Sequence, residues 1–448
     1  MNPRKGAYRV LEKVLYHETY SNIGLNEEIQ RGSYSDKDLN LLTELVYGTL
    51  EKLWTLNYGI DHFSKVKTKK MDNATRLILQ IGAYQILFLD RVPDFAIANE
   101  AGKLAGVHAK RSKGFINGVL RNMIRKKEEI PWPKREKDFT EYLAVHYSYP
   151  KWLVEELLTY YSKEFVEEFF RACVHNPPMH LRVNLLKTTR EQVVQELREE
   201  GREVEESDLV PEGITVRGLK NLSTLKALRE GRVHIQDLSS MLVARVLDPK
   251  PGDYVMDLCS APGGKTTHMG QLMENRGRII ARDVFFHKLE LIQDHSRRLG
   301  INIIETQEFS GADLDRNALD RADRVLVDAP CSGLGVIRRK PEIKYRLQQQ
   351  GIKALQKLQL SILSNAAAYV KSGGVLVYST CTIHPLENQE VTEAFLKEHR
   401  DFHPVDLREE AQDFFKGREN MHTGTGEITI FPQDHPMDGF YIRKFQKK

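Results

Sequence analysis

DLCSAPGGK, residues 257–265, is the stretch that decides the fold of the C-terminal half of the chain. The mostly apolar residues 254–258 predict a strand leading into it, and residues 266–273 predict a helix that follows it. A doubly wound sheet uses this order of strand, turn and helix to present backbone N–H groups to a ligand. Gly263 and Gly264 let the main chain approach such a ligand closely, although an ordinary tight turn has the same composition.

Two later stretches favour a ligand-binding role for this turn. Residues 323–335 read DRVLVDAPCSGLG and residues 374–382 read GVLVYSTCT, so each is a β-rich run that ends in a small-residue loop with a cysteine. The carboxyl ends of parallel strands meet at one edge of a sheet, where doubly wound folds bind their ligands. We therefore expect Cys331, Cys381 and the 257–265 turn to converge on one cleft.

The composition indicates a multidomain globular protein of a reducing compartment. The chain has 448 residues, 29% of them charged, and a mean hydropathy of −0.46. No apolar run approaches the roughly 20 residues of a membrane span, and the N-terminal MNPRKGAYRV lacks the apolar core of a secretory signal. The four cysteines lie far apart without metal-binding spacing. We expect a cytoplasmic protein with no metal and no membrane association, and the net charge of +4 says little about other partners.

The hydrophobic periodicity predicts three parts. Residues 1–130 carry apolar positions at helical spacing and predict an all-α domain. The segment EEIPWPKREK at 128–137 has the composition of a domain boundary. Residues 140–235 alternate strands and a helix, as in a small α+β domain, and residues 236–448 predict an α/β Rossmann-like domain.

The sheet of the α/β domain is predicted to be mostly parallel with an antiparallel edge. A long helix is expected to end at residues 372–374, and the fifth strand is expected at 375–379. The tail pairs residues 427–431 with 440–445 in a closing antiparallel hairpin.

A basic segment spans residues 110–127 and contains no acidic residue. Its seven cations are Lys110, Arg111, Lys113, Arg121, Arg125, Lys126 and Lys127. A basic helix face often only solvates a surface, but this concentration of positive charge also fits contact with RNA phosphates.

The motifs that are absent narrow the choice of cofactor. The chain has neither the GxGxxG spacing of a dinucleotide site at the 257–265 turn nor a GxxxxGK[ST] P-loop there. Asp283 ends the predicted second strand, where an acid of a Rossmann-like sheet binds ribose hydroxyls, although it could instead cap the following helix. An adenosine-bearing cofactor without a phosphate cradle points to S-adenosyl-L-methionine.

Cys331 and Cys381 suggest nucleophilic chemistry, against the common alternative of a cysteine buried as a small apolar side chain. Carbon 5 of a pyrimidine is a poor nucleophile, and addition of a thiolate to carbon 6 turns it into an enamine-like centre that can accept a methyl group. Asp328 would hold the N3 edge of the ring and stabilise the charge that develops there.

The stretches DLCSAPGGK, ARD at 281–283, DAPCSGLGVIRRKPEIK from Asp328 and STCT from Ser379 resemble the motifs of the RNA cytosine-C5 methyltransferases, which have a class I methyltransferase fold. The resemblance implies that Cys381 is the nucleophile and that Cys331 assists release of the methylated product. It implies cofactor contacts by Cys259, Ser260, Ala261, Pro262, Gly263, Gly264, Lys265, Asp283 and Asp328. The acid that the family carries after the third strand has no counterpart at Phe309 or Ser310, and no role is assigned there.

The N-terminal helices, with AYQILFLDRVP and KGFINGVLRNMIR, resemble the NusB-type RNA-binding domain. Together the two resemblances point to the bacterial small-subunit ribosomal RNA methyltransferase B family, and they imply that the 140–235 domain helps to bind RNA. They imply a monomer that binds small-subunit ribosomal RNA. The expected RNA contacts are Lys110, Arg111, Lys113, Arg121, Arg125, Lys126, Arg338 and Arg339.

Two other functions are compatible with these patterns. One is a non-catalytic NusB-like antitermination or ribosome-assembly factor, which the presence of both cysteines and Asp328 disfavours. The other is a methyltransferase for transfer RNA or protein, which only the NusB-like extension disfavours.

Overall fold

The structure is a computed structural model that describes residues 1–174, 177–218, 225–407, 422–424 and 426–448. The chain divides into two units. Unit 1 comprises Met1–His175 and Ile337–Leu347, and unit 2 comprises Asn176–Val336 and Gln348–Lys448.

Unit 1 is built from helices, as the N-terminal periodicity predicts. Its helices before residue 175 are α1 Pro3–Tyr16, α2 Ser21–Arg31, α3 Asp36–Glu51, α4 Leu53–Phe63, α5 Asn73–Phe88, α6 Asp94–His108, α7 Lys113–Lys126, α8 Phe139–His146, α9 Lys151–Tyr160 and α10 Lys163–Ala172. The α5 helix is central because eleven of its residues are buried, and Asp72 caps its start through the Thr75 N–H. Burial on most of its faces explains why its sequence, unlike that of α7, is apolar nearly all round.

The segment Ile337–Leu347 also belongs to unit 1, although it follows directly on the Cys331 loop in the chain. Ser21 N and Ser21 Oγ each donate to the Glu342 carboxylate at 3.0 Å. Lys344 Nζ donates to Glu51 O at 3.0 Å, and Arg346 donates to carbonyls of the first helices. Glu342 and Lys344 are buried. No pattern in the sequence indicates this excursion.

The first sheet of unit 2 is small and antiparallel. Its elements are β1 Met179–Val183, α11 Arg190–Glu199, β2 Glu203–Glu206, β3 Gly213–Arg217, α12 Lys226–Arg229 and β4 Val233–Ile235. The strand order is β2-β3-β1-β4. The β2 strand was not expected from the sequence, because Val204 is its only apolar residue and its only buried one.

The second sheet of unit 2 carries the α/β pattern. Its elements are α13 Leu238–Leu247, β5 Tyr254–Asp257, α14 Gly264–Leu272, β6 Arg278–Asp283, α15 Phe286–Leu299, β7 Ile304–Glu308, β8 Ala322–Asp328, α17 Gln349–Tyr369, β9 Val370–Thr380, α18 Gln389–Glu398, β10 Phe402–Pro404, β11 His422–Gly424, β12 Glu427–Ile430 and β13 Phe440–Lys447. The short helix α16 Ile343–Arg346, which precedes α17 in the chain, belongs to unit 1. The order is β11-β12-β13-β9-β8-β5-β6-β7, with β10 on β13. The strands from β9 to β7 are parallel and β13 is antiparallel to β9, which confirms the predicted sheet and its closing hairpin.

The β9 strand begins earlier than the sequence indicates. The α17 helix ends at Tyr369, and the strand runs from Val370 rather than from Val375. Val370 pairs with Ala322, and the register then shifts, with Gly373 at a φ of +76°. A bulge at the glycines therefore lets pairing continue across a sequence that has the composition of a turn.

Candidate active site

The cofactor turn starts at Asp257, the last residue of β5. Asp257 is buried, and its Oδ2 accepts a 2.7 Å hydrogen bond from Thr266 Oγ1. Its Oδ1 has no hydrogen-bond partner among the described residues. Burial raises the pKa of Asp257 to about 7. Gly263 adopts a φ of +96° at the start of α14, a conformation that a side chain would strain.

A cavity of about 190 Å³ lies beside this turn. It is lined by His234, Ile235, Gln236, Asp237, Ser240, Asp257, Cys259, Ser260, Ala261, Pro262, Gly264, Lys265 and Asp328. The residues that the sequence assigned to the cofactor therefore line this cavity, except for Gly263 and Asp283. The end of β4, the two residues after it and the start of α13 supply lining residues that the sequence does not indicate.

Asp283 stands at the end of β6, next to this turn. Its Oδ2 accepts a hydrogen bond from Ala261 N at 3.3 Å, and its Oδ1 accepts one from Phe285 N at 3.2 Å. No side chain caps α15, so Asp283 is not its cap. Phe285 and Phe286 follow with 49% and 63% of their surfaces exposed, so apolar surface lies directly beyond the carboxylate.

The region where the family acid is missing is occupied by an internal ion pair. The Arg282 guanidinium lies 4.5 Å from the Phe309 ring centroid and donates to Asp315 Oδ2 at 2.5 Å. The Asp315 carboxylate is therefore already paired with Arg282, a side chain of β6.

Asp328 ends β8 and is held from two sides. Lys265 Nζ donates to Asp328 Oδ2 at 2.7 Å, and Ser379 Oγ donates to Oδ1 at 2.9 Å. Lys265 also lies 4.9 Å from the Phe440 ring centroid. Because both carboxylate oxygens are engaged, the orientation of Asp328 at the cavity is fixed.

Cys331 and Cys381 lie side by side, with their sulfur atoms 3.3 Å apart. The hydrogen bond to Cys381, together with burial, raises the pKa of Cys331 well above its ordinary value. Cys331 therefore stays a thiol near neutral pH and can donate its S–H to the Cys381 sulfur. We call Cys331, Cys381, Asp328 and Lys265 together the cysteine cleft, of which only Asp328 and Lys265 line the cavity beside the cofactor turn.

A buried polar network behind the two loops was not found from the sequence. Glu387 accepts hydrogen bonds from Ser332 N at 2.8 Å and Gln359 Nε2 at 3.0 Å, and also from Ser332 Oγ. Gln359 donates further to Pro330 O at 2.9 Å. Burial raises the pKa of Glu387. The only sequence signal is an acid soon after the second cysteine loop, in HPLEN at 384–388.

A second buried group fixes the cofactor turn from the small sheet. Arg182 of β1 is fully buried, and burial lowers its pKa to about 9. Its guanidinium donates to Gly264 O at 2.7 Å and to Thr267 Oγ1 at 2.9 Å. A lone arginine in an alternating strand carries no signal of such a role in the sequence.

The other two cysteines differ from the pair. Cys259 lines the cavity, but burial raises the pKa of its thiol well above the ordinary value, so it is a poor nucleophile. Cys173 follows α10 in unit 1.

The cations proposed for RNA binding occupy two settings. All seven cations of the 110–127 segment are exposed, and we call them the α7 face. Lys126 pairs with Glu129 at 3.0 Å, while the other six have no carboxylate within 4.0 Å among the described residues. Arg338 and Arg339 are half-buried in the Ile337–Leu347 segment of unit 1.

Within the described residues, no helix has the length and apolar character to cross a membrane. The same residues contain no group of three or more His, Cys, Asp or Glu side chains placed to hold a metal ion.

The sheet order and the turn after its first parallel strand define a Rossmann-like methyltransferase fold, and sequence comparison gives its family. A family model described as 16S rRNA methyltransferase RsmB/F matches residues 244–446. The NusB family model matches residues 1–125, and an RsmF/B-like ferredoxin-like domain matches residues 149–222.

Full-length relatives agree with these matches. The probable ribosomal RNA small subunit methyltransferase B of Bacillus subtilis is 39% identical over 99% of this chain and 98% of its own length. The ribosomal RNA small subunit methyltransferase B of Serratia proteamaculans is 34% identical over 92% of this chain and 91% of its own. The solved structure of PH0851 has a TM-score of 0.83 and 29% identity, and covers 100% of this chain and 99% of its own. The chain belongs to the ribosomal RNA small subunit methyltransferase B family, which confirms the resemblance identified from the motifs.

Proposed function

We propose that this chain transfers a methyl group from S-adenosyl-L-methionine to carbon 5 of a cytosine in small-subunit ribosomal RNA, through a covalent bond between Cys381 and the base. The observation that carries the proposal is the 3.3 Å approach of the Cys331 and Cys381 sulfurs, in two loops whose preceding strands end at Asp328 and Thr380 and are joined by the hydrogen bond from Ser379 to Asp328. The names of the relatives support the substrate.

The residues present fit the cofactor. The unpartnered, buried Asp257 Oδ1 offers an acceptor, and the backbone at Gly264, where an added Cβ would meet no atom closer than 3.7 Å, offers the close approach that such a ligand needs. We assign residues 259–265 to its methionine and ribose part and Asp283 to the ribose hydroxyls, with the apolar surface of Phe285 next to it. When bound, S-adenosyl-L-methionine supplies an electrophilic methyl group.

The side chains of the cleft account for the remaining chemistry. Cys381 loses its thiol proton to solvent, and the thiolate Sγ adds to carbon 6 while the electrons of the 5,6 double bond move toward carbon 5 and N3. Asp328, oriented by Lys265 and Ser379, faces the N3 edge and offsets the charge that develops there.

Product release completes the reaction. After carbon 5 has accepted the methyl group, a base removes its proton, the 5,6 double bond re-forms and the bond from carbon 6 to Cys381 breaks. Cys331 is a thiol 3.3 Å from Cys381 Sγ and can donate to that sulfur as it departs. We therefore assign the nucleophile to Cys381 and assistance in release to Cys331.

We assign RNA binding to the α7 face, to Arg338 and Arg339, and to the small sheet. We retain a division into an NusB-like domain at 1–130, a small α+β domain at 140–235 and a methyltransferase domain at 236–448. We further propose that the chain acts as a cytoplasmic monomer.

Bisulfite sequencing of RNA from cells with and without this protein tests the function. We expect one cytosine of small-subunit ribosomal RNA to lose its protection when the protein is absent and to regain it with the wild-type chain. Loss of protection at a cytosine of transfer RNA instead would identify transfer RNA as the substrate. Unchanged protection in every RNA would favour a non-catalytic assembly factor.

A further inference from the structure

Unit 1 contains a cavity of about 410 Å³ that the proposed reaction does not use. We call it the Trp132 cavity, and its lining residues are Lys52, Thr55, Leu87, Phe88, Lys127, Glu128, Trp132, Pro133, Val145 and His146. Its volume lies in the range of small-molecule sites, about 300–1,000 Å³. All of its lining belongs to the helical N-terminal part of the chain.

Two aromatic rings in this lining are exposed but held in place. Trp132 has 40% of its surface exposed, and Phe88 has 38%. The Tyr58 ring stacks against Trp132 with 5.8 Å between ring centroids, and Tyr58 OH donates to Pro131 O at 2.7 Å. Trp132 also lies between two prolines, which restrict its backbone. The indole is therefore a fixed flat surface whose exposure packing does not explain.

The charged groups of the cavity favour an anionic ligand. Lys52 Nζ lies 5.6 Å from the Phe88 ring centroid and forms no ion pair within the described residues, while burial lowers its pKa from the ordinary value. Lys127 is exposed and likewise has no ion pair among those residues. Burial lowers the pKa of His146, so this ring adds no positive charge at neutral pH. Glu128 is the one acid in the lining, against two lysines.

We infer that the Trp132 cavity binds an unpaired nucleotide of the substrate RNA, with the base stacked on Trp132 and a phosphate at Lys52 and Lys127. Flat aromatic surface beside unpaired cations is the combination by which proteins hold single-stranded nucleic acid without reading its sequence. An acidic peptide would satisfy the lysines but would leave the fixed indole without a stacking partner. The inference rests on the proposed function only for the identity of RNA as the partner.

Such a site would hold part of the substrate RNA unpaired. A cytosine must leave its stack before a side chain can attack carbon 6, and bases already held unpaired lower the cost of that step. The Trp132 cavity thus acts on RNA affinity and not on the chemical step.

Fluorescence titration of the full chain with an unstructured ten-nucleotide oligouridylate tests the inference. The chain has three tryptophans, so Trp132→Phe identifies the Trp132 signal and keeps an aromatic surface. We expect quenching in the wild type that is absent in Trp132→Phe. We expect roughly tenfold weaker binding in Trp132→Leu, because one base no longer stacks on an aromatic ring.

Lys52→Gln is the second variant, because Lys52 lines the cavity but lies outside the 110–127 segment that is already assigned to RNA binding, and it should weaken binding and reduce the salt dependence. Tyr160→Leu and Lys37→Gln are the controls, since they change an exposed aromatic ring and an exposed lysine outside both the cavity and the 110–127 segment, and both should bind as the wild type does.

Unchanged quenching in Trp132→Phe, with unchanged affinity in Trp132→Leu and Lys52→Gln, would overturn the inference. Trp132 quenching by an oligoglutamate peptide but not by RNA would also overturn it and assign a protein partner. Methyl transfer measured on the same preparations separates the two proposals. If the chain methylates RNA but Trp132 fluorescence is not quenched, only the inference about the cavity is contradicted. If RNA binding depends on Trp132 but no RNA is methylated, only the proposed reaction is contradicted.

Discussion

The cysteine cleft and the α7 face hold their polar side chains in opposite ways. In the cleft, Asp328 is engaged through both oxygens and Cys331 lies against Cys381. On the α7 face, Arg121 and Arg125 extend into solvent without a carboxylate partner in the described part of the chain. The protein itself fixes the first set, while only a bound partner can fix the second. Changes in the cleft should therefore abolish function at any salt concentration, and changes on the α7 face should have graded, salt-dependent effects.

Apart from loss of the nucleophile itself, the largest effect on methyl transfer is expected from Asp328→Ala. Loss of the carboxylate removes the group that we assign to the N3 edge and leaves Lys265 without its partner, so single-turnover methyl transfer should fall by roughly 10³-fold. Ser379→Ala is the matched control, because it removes only one of the two hydrogen bonds that orient Asp328. Equal rates for Asp328→Ala and the wild type would show that the Asp328 carboxylate takes no part in methyl transfer.

Gly264→Val tests the cofactor turn and should abolish S-adenosyl-L-methionine binding in calorimetry. A Cβ at Gly264 would meet its nearest neighbour, His234, at an ordinary 3.7 Å, so the fold should survive while the added side chain fills the cavity. A thermal unfolding curve close to that of the wild type is the control. Unchanged affinity would mean that the cofactor binds elsewhere.

Asp257 predicts a pH effect on stability. Burial raises its folded-state pKa from 3.8 to about 7, so the folded chain retains a proton that the unfolded chain releases. The free energy of unfolding should therefore fall as pH rises through this window, by about 1.4 kcal/mol per unit at most. Urea denaturation at pH 5 and pH 7.5 should show this fall in the wild type and a smaller one in Asp257→Asn. The same pH dependence of the free energy of unfolding in the wild type and in Asp257→Asn would show that Asp257 does not cause the effect.

The smallest effect is expected on the α7 face. Changing Arg121, Arg125 and Lys126 to Glu should weaken RNA binding, and the slope of log affinity against log salt should fall by about one for each phosphate that the chain no longer neutralises. Lys37→Glu, an exposed lysine outside the segment, is the control. If affinity and slope both stay unchanged, the α7 face only solvates the surface.

The same contrast explains what the sequence could predict. The strands ending at Asp257, Asp283 and Asp328, and the turns after them, follow from apolar runs and small residues, because local composition determines such elements. The start of β9 and the whole of β2 could not be predicted, because pairing with a neighbouring strand overrides a weak local preference there.

The contacts that fix the site were also beyond the sequence. Arg182 reaches Gly264 O from another sheet, and Glu387 accepts from Ser332 across the two cysteine loops. Each depends on residues that are distant in the chain, so no spacing indicates it. The docking of Glu342 on Ser21 is of the same kind.

Denaturing gels of the Cys331→Ala and Cys381→Ala chains, incubated with target RNA and S-adenosyl-L-methionine, test the central claim most directly. Cys331→Ala keeps the nucleophile but lacks the neighbouring thiol that assists its departure, so a protein–RNA adduct that survives SDS should accumulate. Cys381→Ala should form no adduct and no methylated product. An adduct formed by Cys381→Ala and not by Cys331→Ala would make Cys331 the nucleophile and contradict the account, as would the absence of any adduct in both chains.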